Sequence, residues 1–589
     1  MKPTSLRKLS AVLPLGWAII MLFLTLTPAD EMPRTPDWKL IAFDTAAHAG
    51  VFAVLALLGW VALRQQRRWP ALARQAGWVV MLGCVLFGGL IEVLQYWMAV
   101  GRHAEWSDLG GDSLGAALAL LLASGGWRWW RQRRLATPLL VLLLLGSSYF
   151  FAPVASAQAP APDLGRARRT IEELAAPKLH GRGYVQGGEH LAAAYLRGRL
   201  KQLGLQPLAL DFTQPFVLDV NTFPGKMELT TQRRLGYTEK PSVIGAPIKK
   251  LLIGKDFIVN AASGPYVGRA YVTVLDTAIF GDTVAARRYL DYSDRVIKGC
   301  LHCPGSLLLL RQRDVARLPT LPKSTQERIA SFGQLLLVSK LTASLAEQQS
   351  AHPRLEVLSS RWPADTTGQV VNLRVDAKLI HNYQTQNVAA VVRGRTQPDS
   401  FLVVSAHYDH LGMMGKDTYF PGANDNASGV ALLLELAAHY ARPENQPAYS
   451  VVFLLFGAEE AGLVGSQYFV AHPLVPLPRI RFLVNLDLLG TGEEGATVVN
   501  GKVFEPAFQR LTALNDAHHY LPRLTARGKA ANSDHFPFSE AGVPAFFMYT
   551  RGGSQAYHDV NDQPAALSLA GFAGAFGLVR DFLDTQMVK

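Results

Sequence analysis

The order of apolar and polar positions divides this chain of 589 residues into two dissimilar parts. The first 160 residues contain successive stretches that are almost free of charge, and most of them reach the roughly 20 residues that a helix needs to cross a bilayer. The remainder alternates short apolar runs with amphipathic segments, which is typical of a folded α/β unit. The stretches of the first part span residues 9–29, 45–63, 75–101, 113–127 and 135–162.

These stretches predict an N-terminal all-α transmembrane bundle of about five spans. Basic residues concentrate at the N-terminus and in the loops after the second and fourth stretches, whereas the other loops are acidic or mixed. The positive-inside tendency therefore places the N-terminus in the cytoplasm and everything after the fifth stretch outside it. Ten of the 11 tryptophans lie between Trp17 and Trp130, as expected for interfacial belts. We expect a multi-pass protein of the bacterial cytoplasmic membrane, with the lipid bilayer as one partner.

Composition and charge exclude two other classes of protein. With 49% apolar and 18% charged residues, the chain is not intrinsically disordered. Residues 1–135 hold 14 Lys/Arg against 8 Asp/Glu, so about half of the net charge of +12 belongs to the predicted membrane loops. The remaining excess is spread thinly and forms no basic stripe with interleaved aromatics, which argues against a nucleic-acid partner.

The fifth stretch has two interpretations. Its basic start, Leu-rich core and Ala-x-Ala end also match a secretion signal, with cleavage near Ala157 or Ala159. Both interpretations export the C-terminal part. We assign residues 1–134 to the transmembrane domain, and 135–168 to the fifth span or signal-like segment followed by a Pro/Ala-rich linker.

Several residues inside or beside these stretches recur at a characteristic spacing, namely Asp44, His48, Phe52, Glu92, Gln95, Arg102 and Asp108. This set resembles the VanZ-like membrane family, over about residues 5–127. The resemblance implies an architecture rather than a reaction.

Beyond the linker, the pattern predicts an α/β catalytic domain formed by residues 169–208 and 371–589, with an inserted α+β subdomain at 209–370. Strand-like runs at 387–392, 400–405, 450–456 and 481–486 are apolar on both faces, which indicates a mostly parallel, buried central sheet. A helix is predicted at 427–440. Within the insertion we predict strands at 268–275 and 306–310 and helices at 284–292 and 324–348, and we expect it to shape access to a site built elsewhere. Cys300 and Cys303 lack a second pair for a structural zinc. If their segment lies outside the cytoplasm, a local disulfide is favoured there over a redox site.

Potential metal ligands follow three of the predicted strands. His407 and Asp409 follow the second, Glu459 and Glu460 the third, and Asp487 the fourth. Ligands collect at the carboxyl ends of parallel strands, so we expect these side chains to meet at one sheet edge. Clustered carboxylates would repel one another without cations, and carboxylate and imidazole ligands without thiolate suit zinc.

Six motifs follow one another across residues 385–580, after a helical region that begins near 165. They are His407-Tyr-Asp409, Gly422-Ala-Asn-Asp425-Asn-Ala-Ser-Gly429, Gly457-Ala-Glu459-Glu460-Ala-Gly-Leu463, Asn485-Leu-Asp487, Ser533-Asp-His-Phe-Pro-Phe538 and Tyr557-His558. In these motifs and their order, the C-terminal part resembles the co-catalytic di-zinc aminopeptidases, which are related to glutaminyl cyclases.

The resemblance implies two zinc ions and a role for each motif residue. His407 and Asp487 would bind one zinc, Glu460 and His558 the other, and Asp425 both. Asp409 would orient the ring of His407, and a cis peptide would join Asp425 to Asn426. Glu459 would act as general base and Tyr557 would stabilise the oxyanion, whereas a packed aromatic is an equally good reading of Tyr557. Asp534 and His535 are expected to support the site.

The predicted function is that of a membrane-anchored, extracytoplasmic zinc aminopeptidase acting on peptides. A glutaminyl cyclase-like enzyme and a non-catalytic peptide-binding ectodomain on the same fold are the alternatives. Five predicted ligands and a base favour hydrolysis over both, although ligand residues alone do not settle the number of metal ions.

Overall fold

The computed structural model describes residues 13–22, 43–98 except 67, 113–123 except 122, 161–233, 247–282, the single positions 284, 288 and 291, and 305–587. The chain divides into two compact units, Met1–Ala155 and Ser156–Lys589. Each unit is described by itself.

The N-terminal unit contains the helices α1 (Phe43–Gln65), α2 (Pro70–Arg74) and α3 (Ala76–Met98), and helical residues at 13–22 and 113–121. Proline starts α2 because its fixed φ suits the first helical position. Phe52, Trp60, Val80 and Cys84 share one apolar core.

Across the residues that the structure describes, no helix combines the length and apolar character needed to cross a membrane. The predicted bundle of about five spans therefore remains a prediction without structural support. The fifth stretch and the cleavage site near Ala157 or Ala159 lie outside the described residues, as do the side chains of Asp44, His48, Glu92 and Gln95.

The C-terminal unit is built from two sheets and their helices. Its helices are α4 (Leu164–Leu174), α5 (Gly188–Gln202), α6 (Gln312–Val315), α7 (Lys323–Ala330), α8 (Gly429–Tyr440), α9 (Val464–Ala471), α10 (Glu505–His518), α11 (His535–Glu540) and α12 (Phe572–Met587). Its strands are β1 (Gln206–Pro207), β2 (Thr213–Thr222), β3 (Met227–Arg233), β4 (Lys249–Leu251), β5 (Phe257–Val259), β6 (Tyr266–Val274), β7 (Gly305–Arg311), β8 (Gly333–Val338), β9 (Arg354–Leu358), β10 (Gln369–Val375), β11 (Lys378–Val392), β12 (Gln397–His407), β13 (Tyr449–Phe456), β14 (Ile480–Leu486), β15 (Ala496–Val499), β16 (Leu524–Ala526) and β17 (Ala545–Thr550).

The larger sheet has nine strands in the order β1-β11-β13-β12-β14-β17-β15-β16, with β2 also paired to β11. Its centre, β13-β12-β14-β17, is parallel, but β11 and β15 pair antiparallel with their central neighbours. The sheet is therefore mixed, which corrects the prediction of a mostly parallel sheet. The four-residue connection between β11 and β12 reverses the chain, whereas a parallel crossover needs a dozen residues or more.

Helix α8 is buried along its whole length, which explains why its sequence is apolar on every side. It supplies the crossover between β12 and β13 and belongs to the core on one face of the sheet. A second core, with Phe456, Phe469 and Phe538, covers the other face. Helix α4 begins where the Asp163 side chain accepts the Arg166 N–H at 2.8 Å, so the predicted linker at 135–168 extends too far.

The smaller sheet has eight strands in the order β4-β3-β10-β6-β7-β8-β9-β5. This sheet contains the predicted strands 268–275 and 306–310. The inserted subdomain was predicted from residue 209, but the first strand of the smaller sheet begins at Met227, because β2 belongs to the larger sheet. The predicted helix 324–348 is wrong beyond Ala330: Gly333–Val338 forms β8, which pairs in parallel with β7 and β9. Most of the predicted helix 284–292, and both Cys300 and Cys303, lie outside the described residues.

Candidate metal centre

The parallel centre of the larger sheet brings the predicted ligands to one edge. Strand β12 ends at His407, Asp487 follows β14, and Glu460 lies just past β13. Asp425 precedes helix α8, and His558 lies in the loop after β17. Because parallel strands point their carboxyl ends the same way, the fold delivers these side chains to a common edge.

The five predicted ligands form two groups that share one aspartate. His407 Nε2 lies 3.3 Å from Asp425 Oδ1 and 3.4 Å from Asp487 Oδ1. His558 Nε2 lies 3.2 Å from Asp425 Oδ2 and 3.1 Å from Glu460 Oε2. Asp425 thus presents a different oxygen to each group, an arrangement suited to holding two cations side by side.

The electrostatics of the centre favour cations. Burial alone lowers the pKa of His558, but the Glu460 and Asp425 carboxylates outweigh it and raise that pKa to about 11. Asp487 Oδ1 is buried without a hydrogen-bond partner among the described residues, so this oxygen is available to a ligand. Buried carboxylates are costly unless they are paired or coordinate a metal, and oxygen and imidazole donors fit zinc.

The base assigned from the sequence lies beside these ligands. Burial, reinforced by the Asp534, Glu460 and Asp487 carboxylates, raises the pKa of Glu459 well above its usual value. Glu459 makes none of the close histidine contacts that Glu460 makes, although both lie near His407. The peptide bond between Asp425 and Asn426 is cis, as the resemblance implied.

Asp409 contacts the site differently from the prediction. The nearest group to His407 Nδ1 is the Asp409 backbone carbonyl, at 3.2 Å, and the carboxylate is 3.7 Å away. Instead, the carboxylate accepts the backbone N–H groups of Glu459 at 3.1 Å and Glu460 at 3.4 Å. Asp409 therefore holds the loop that carries the base, because successive backbone amides converge on its two oxygens.

Three residues that support the centre were not assigned from the sequence. Buried His410 places Nδ1 2.6 Å from Glu460 Oε1. Buried Asp562 accepts the backbone N–H groups of Asn424 and Asp425 at 2.9 to 3.0 Å. His410 is part of the motif around His407 and could have been suspected, whereas no local signal marks Asp562.

The third is Arg182, whose side chain is 0% exposed. Its guanidinium donates to five backbone carbonyls at 2.7 to 3.1 Å, those of Leu174, Tyr408, Pro421, Gly422 and Asp425. Burial lowers its pKa to about 10, so it stays charged at neutral pH. One cation thereby joins the end of α4, the end of β12 and the loop that carries Asp425.

The remaining motif residues lie around the centre. Tyr557 stacks on His558 with ring centroids 3.9 Å apart and is half-exposed; burial and the nearby carboxylates raise the pKa of its hydroxyl. Ser533 donates to Asp487 Oδ2 at 2.9 Å, so the segment with Asp534 and His535 supports a ligand. Asp534 and His535 are fully buried. Burial raises the pKa of Asp534 to about 7 and lowers the pKa of His535 to about 4.

The smaller sheet also contributes to the centre. In the loop after β8, the Ala343 carbonyl lies 2.8 Å from His558 Nδ1, and the Ala343 N–H donates to the His558 carbonyl at 3.0 Å. A hydrogen bond at Nδ1 leaves Nε2 free to face the Asp425 and Glu460 carboxylates.

Part of the C-terminal unit is similar in sequence to known proteins. Residues 387–583 match the model of peptidase family M28. The aminopeptidase YwaD of Bacillus subtilis is 33% identical over 211 residues, which are 34% of this chain and 43% of that protein. Leupeptin-inactivating enzyme 1 of Streptomyces exfoliatus is 32% identical over 165 residues, 27% of this chain and 36% of that protein. The chain thus spans less than half of these relatives.

A structural comparison extends further along the chain. The zinc aminopeptidase BSAP from Bacillus subtilis aligns with a TM-score of 0.51 and 19% identity, covering 73% of this chain and 96% of that one. The shared fold therefore includes more than the segment matched by sequence. The VanZ-like resemblance of residues 5–127 is not shown by these comparisons and remains a prediction. Residues 387–583, the segment that matches the model of peptidase family M28, carry all five candidate ligands and Glu459.

Proposed function

We propose that the C-terminal unit is a di-zinc aminopeptidase that hydrolyses the N-terminal residue of peptides. The observation that carries the proposal is Asp425, whose two oxygens face two separate histidine–carboxylate groups. His407 and Asp487 would hold one zinc ion, Glu460 and His558 the other, and Asp425 both. Bound zinc supplies Lewis-acid activation of water and of the scissile carbonyl.

The chain's own residues would move the protons. Glu459 lies half-buried beside the ligands and has a raised pKa, which suits a base that takes the proton of the attacking water. It would then pass this proton to the leaving amine. The Tyr557 hydroxyl, kept protonated by its raised pKa, would donate a hydrogen bond to the carbonyl oxygen as negative charge develops there.

The expectation of cleavage at the N-terminal end rests on the relatives of this chain. The curated proteins that it resembles include the aminopeptidase YwaD of Bacillus subtilis. The charge of the centre alone does not select the substrate end, because two zinc ions would offset the carboxylates of Asp425, Glu459, Glu460 and Asp487.

The decisive experiment uses the purified chain loaded with zinc. We expect hydrolysis of an aminoacyl p-nitroanilide, no cyclisation of an N-terminal Gln peptide, and about two zinc ions per chain. Glu459→Gln should lower kcat about 10² to 10⁴-fold, the usual contribution of a general base, without loss of zinc. Glu444→Gln, an exposed change in the same unit, is the control.

Three results would contradict the proposal. Cyclisation without hydrolysis would indicate a glutaminyl cyclase, and zinc-dependent peptide binding without turnover would indicate a binding ectodomain. Unchanged turnover in Glu459→Gln would reject Glu459 as the base.

The location of this unit is a separate proposal that rests on the sequence alone. We propose that the N-terminal part anchors the chain in the cytoplasmic membrane, with residues after about 160 outside the cytoplasm. Protease treatment of intact spheroplasts should then cut the C-terminal unit while the N-terminal part sediments with membranes. A C-terminal unit protected until the cells are lysed would reject this orientation.

A further inference from the structure

The loop at residues 339–350 belongs to the smaller sheet's subdomain but is attached to the catalytic sheet's loops. Ala343 exchanges two contacts with His558, and Lys340 Nζ donates to the Gln555 carbonyl at 2.9 Å. Both partners lie in the loop that carries Tyr557. One end of the 339–350 loop is therefore fixed to the metal centre itself.

The other end of this loop is fixed to strand β2. The Asn221 N–H donates to the Ala346 carbonyl at 2.8 Å, and Gln349 Nε2 donates to Asn221 Oδ1 at 2.8 Å. The side-chain Nδ2 of Asn221 in turn donates to the backbone carbonyls of Ala261 and Ser263. With one end hydrogen-bonded to the loop of Tyr557 and the other to buried Asn221, the loop forms a wall of the site.

This wall borders an open cavity of about 450 Å³, a size typical of small-ligand sites. The lining comprises Ala262, Leu345, Ala346, Glu347, Gln348, Glu460, Ala461 and Gly462. Because Glu460 is a candidate zinc ligand, the cavity opens directly from the reaction centre. A substrate held there would place its first side chains against the wall.

Glu347 differs from the other carboxylate in this cavity. Glu460 is engaged by His410 and His558, whereas Glu347 is exposed, and the structure assigns it no ion pair within the described residues. Its charge is therefore available to a molecule that enters the cavity. An opposite charge on the substrate is the chemistry that complements it.

We propose that this cavity receives one of the first two side chains of the peptide substrate and that Glu347 selects a cationic one, lysine or arginine. The inference rests on the proposed aminopeptidase activity and adds its specificity. A partly screened ion pair at an exposed site contributes modestly, so the effect is a preference of a few fold.

The test compares the full chain with Glu347→Gln and Glu347→Lys on matched substrates. Lys-, Leu- and Glu-p-nitroanilide probe the first residue, and Leu-Lys and Leu-Leu dipeptides probe the second. In Glu347→Gln, the Lys-to-Leu ratio of kcat/KM should fall about three- to fivefold at one of the two positions, mainly through KM. In Glu347→Lys, the Lys-to-Leu ratio of kcat/KM at the same substrate position should fall further. If that position is the first residue, Glu-p-nitroanilide should also become a better substrate relative to Leu-p-nitroanilide. Glu327→Gln, an exposed change on α7 of the same subdomain, should alter no ratio.

Ionic strength supplies a second readout, because the difference between wild type and Glu347→Gln should shrink as salt is raised. Equal Lys-to-Leu ratios in all variants, with Leu substrates still hydrolysed, would overturn this inference and leave the aminopeptidase proposal standing. No hydrolysis of any aminoacyl substrate by the wild type would overturn both.

Discussion

The two sheets of the C-terminal unit both contain a run of parallel strands but differ in the residues at the edges of those runs. Each contains four neighbouring parallel strands, β13-β12-β14-β17 in the larger sheet and β6-β7-β8-β9 in the smaller. Among the described residues, every group of three His or carboxylate side chains close enough to hold a metal lies at the larger sheet's edge. Parallel strands therefore provide a shared edge, and the residues that follow them decide whether it becomes a site.

The corresponding edge of the smaller sheet is closed by neutral groups. Gln312 follows β7, and its Oε1 accepts from the Ser339 hydroxyl and backbone N–H, after β8, at 3.3 and 3.4 Å. The Ser359 hydroxyl, after β9, donates to the Val338 carbonyl at 3.0 Å. These contacts join neutral groups, in contrast to the clustered carboxylates and imidazoles of the metal edge.

Buried charged residues support the metal-binding edge of the larger sheet. Arg182 joins three backbone segments, Asp562 holds the loop of Asp425, and Asp409 holds the loop of Glu459. Each of these charged groups is fully buried. Replacing one of these residues should lower the unfolding free energy far more than a replacement at the smaller sheet's edge does.

The largest expected effect comes from Arg182→Met. The change would leave five buried carbonyls without their donor, and breaking a buried charged network of this kind costs about 3 to 5 kcal/mol of unfolding free energy. Urea unfolding of the full chain followed by pulse proteolysis would measure it. Arg169→Met, an exposed change on α4, should stay within about 0.5 kcal/mol. Equal unfolding free energies of Arg182→Met and Arg169→Met would show that Arg182 does not stabilise the metal centre.

A smaller, pH-dependent effect is expected at Glu189. This buried carboxyl accepts hydrogen bonds from Tyr383 and Thr385 at 3.0 and 3.1 Å, yet burial dominates and raises its pKa to about 7. A raised carboxyl pKa means that the folded state binds the proton more tightly. Protonated Glu189 therefore stabilises the folded state. This stabilisation is fully present below the usual pKa near 4.5 and is lost as pH rises through 7.

Comparing the wild type with Glu189→Gln across pH 5 to 8 isolates this group, because the metal ligands are common to both. The unfolding free energy of the wild type should fall relative to the variant as pH rises, by at most about 3 kcal/mol. Parallel pH profiles for the two proteins would show that Glu189 is ionised throughout in the folded state.

The smallest effect is expected at the smaller sheet's edge. Gln312→Ala removes the acceptor for Ser339 at an exposed position and should cost about 1 kcal/mol or less of unfolding free energy. Hydrolysis of Leu-p-nitroanilide should stay within twofold of the wild type. A large loss of activity would mean that this edge communicates with the metal centre, and the contrast between the two sheets would fail.

The strands that carry ligands were predictable because their signal is local. Each is a short run of apolar residues followed within three positions by His, Asp or Glu, and the structure places these runs in β12, β13 and β14. Segment 324–348 shows the limit of such reasoning. Its first part is helical, but Gly333–Val338 becomes a strand because β7 and β9 lie on either side of it, which no local pattern reveals.

The sequence by itself determined which side chains could serve a metal centre, because the residue types and their order after apolar runs are written along the chain. The structure brings Asp425 to face two histidines at once, as the resemblance implied. Only the tertiary structure decided that the Asp409 carboxylate holds the loop of Glu459 while its backbone carbonyl faces His407, and that Arg182, Asp562 and Ala343 support the centre. The physical reason is distance along the chain. Ala343 and His558 are 215 residues apart, and such contacts form only when the separate elements pack around a common edge.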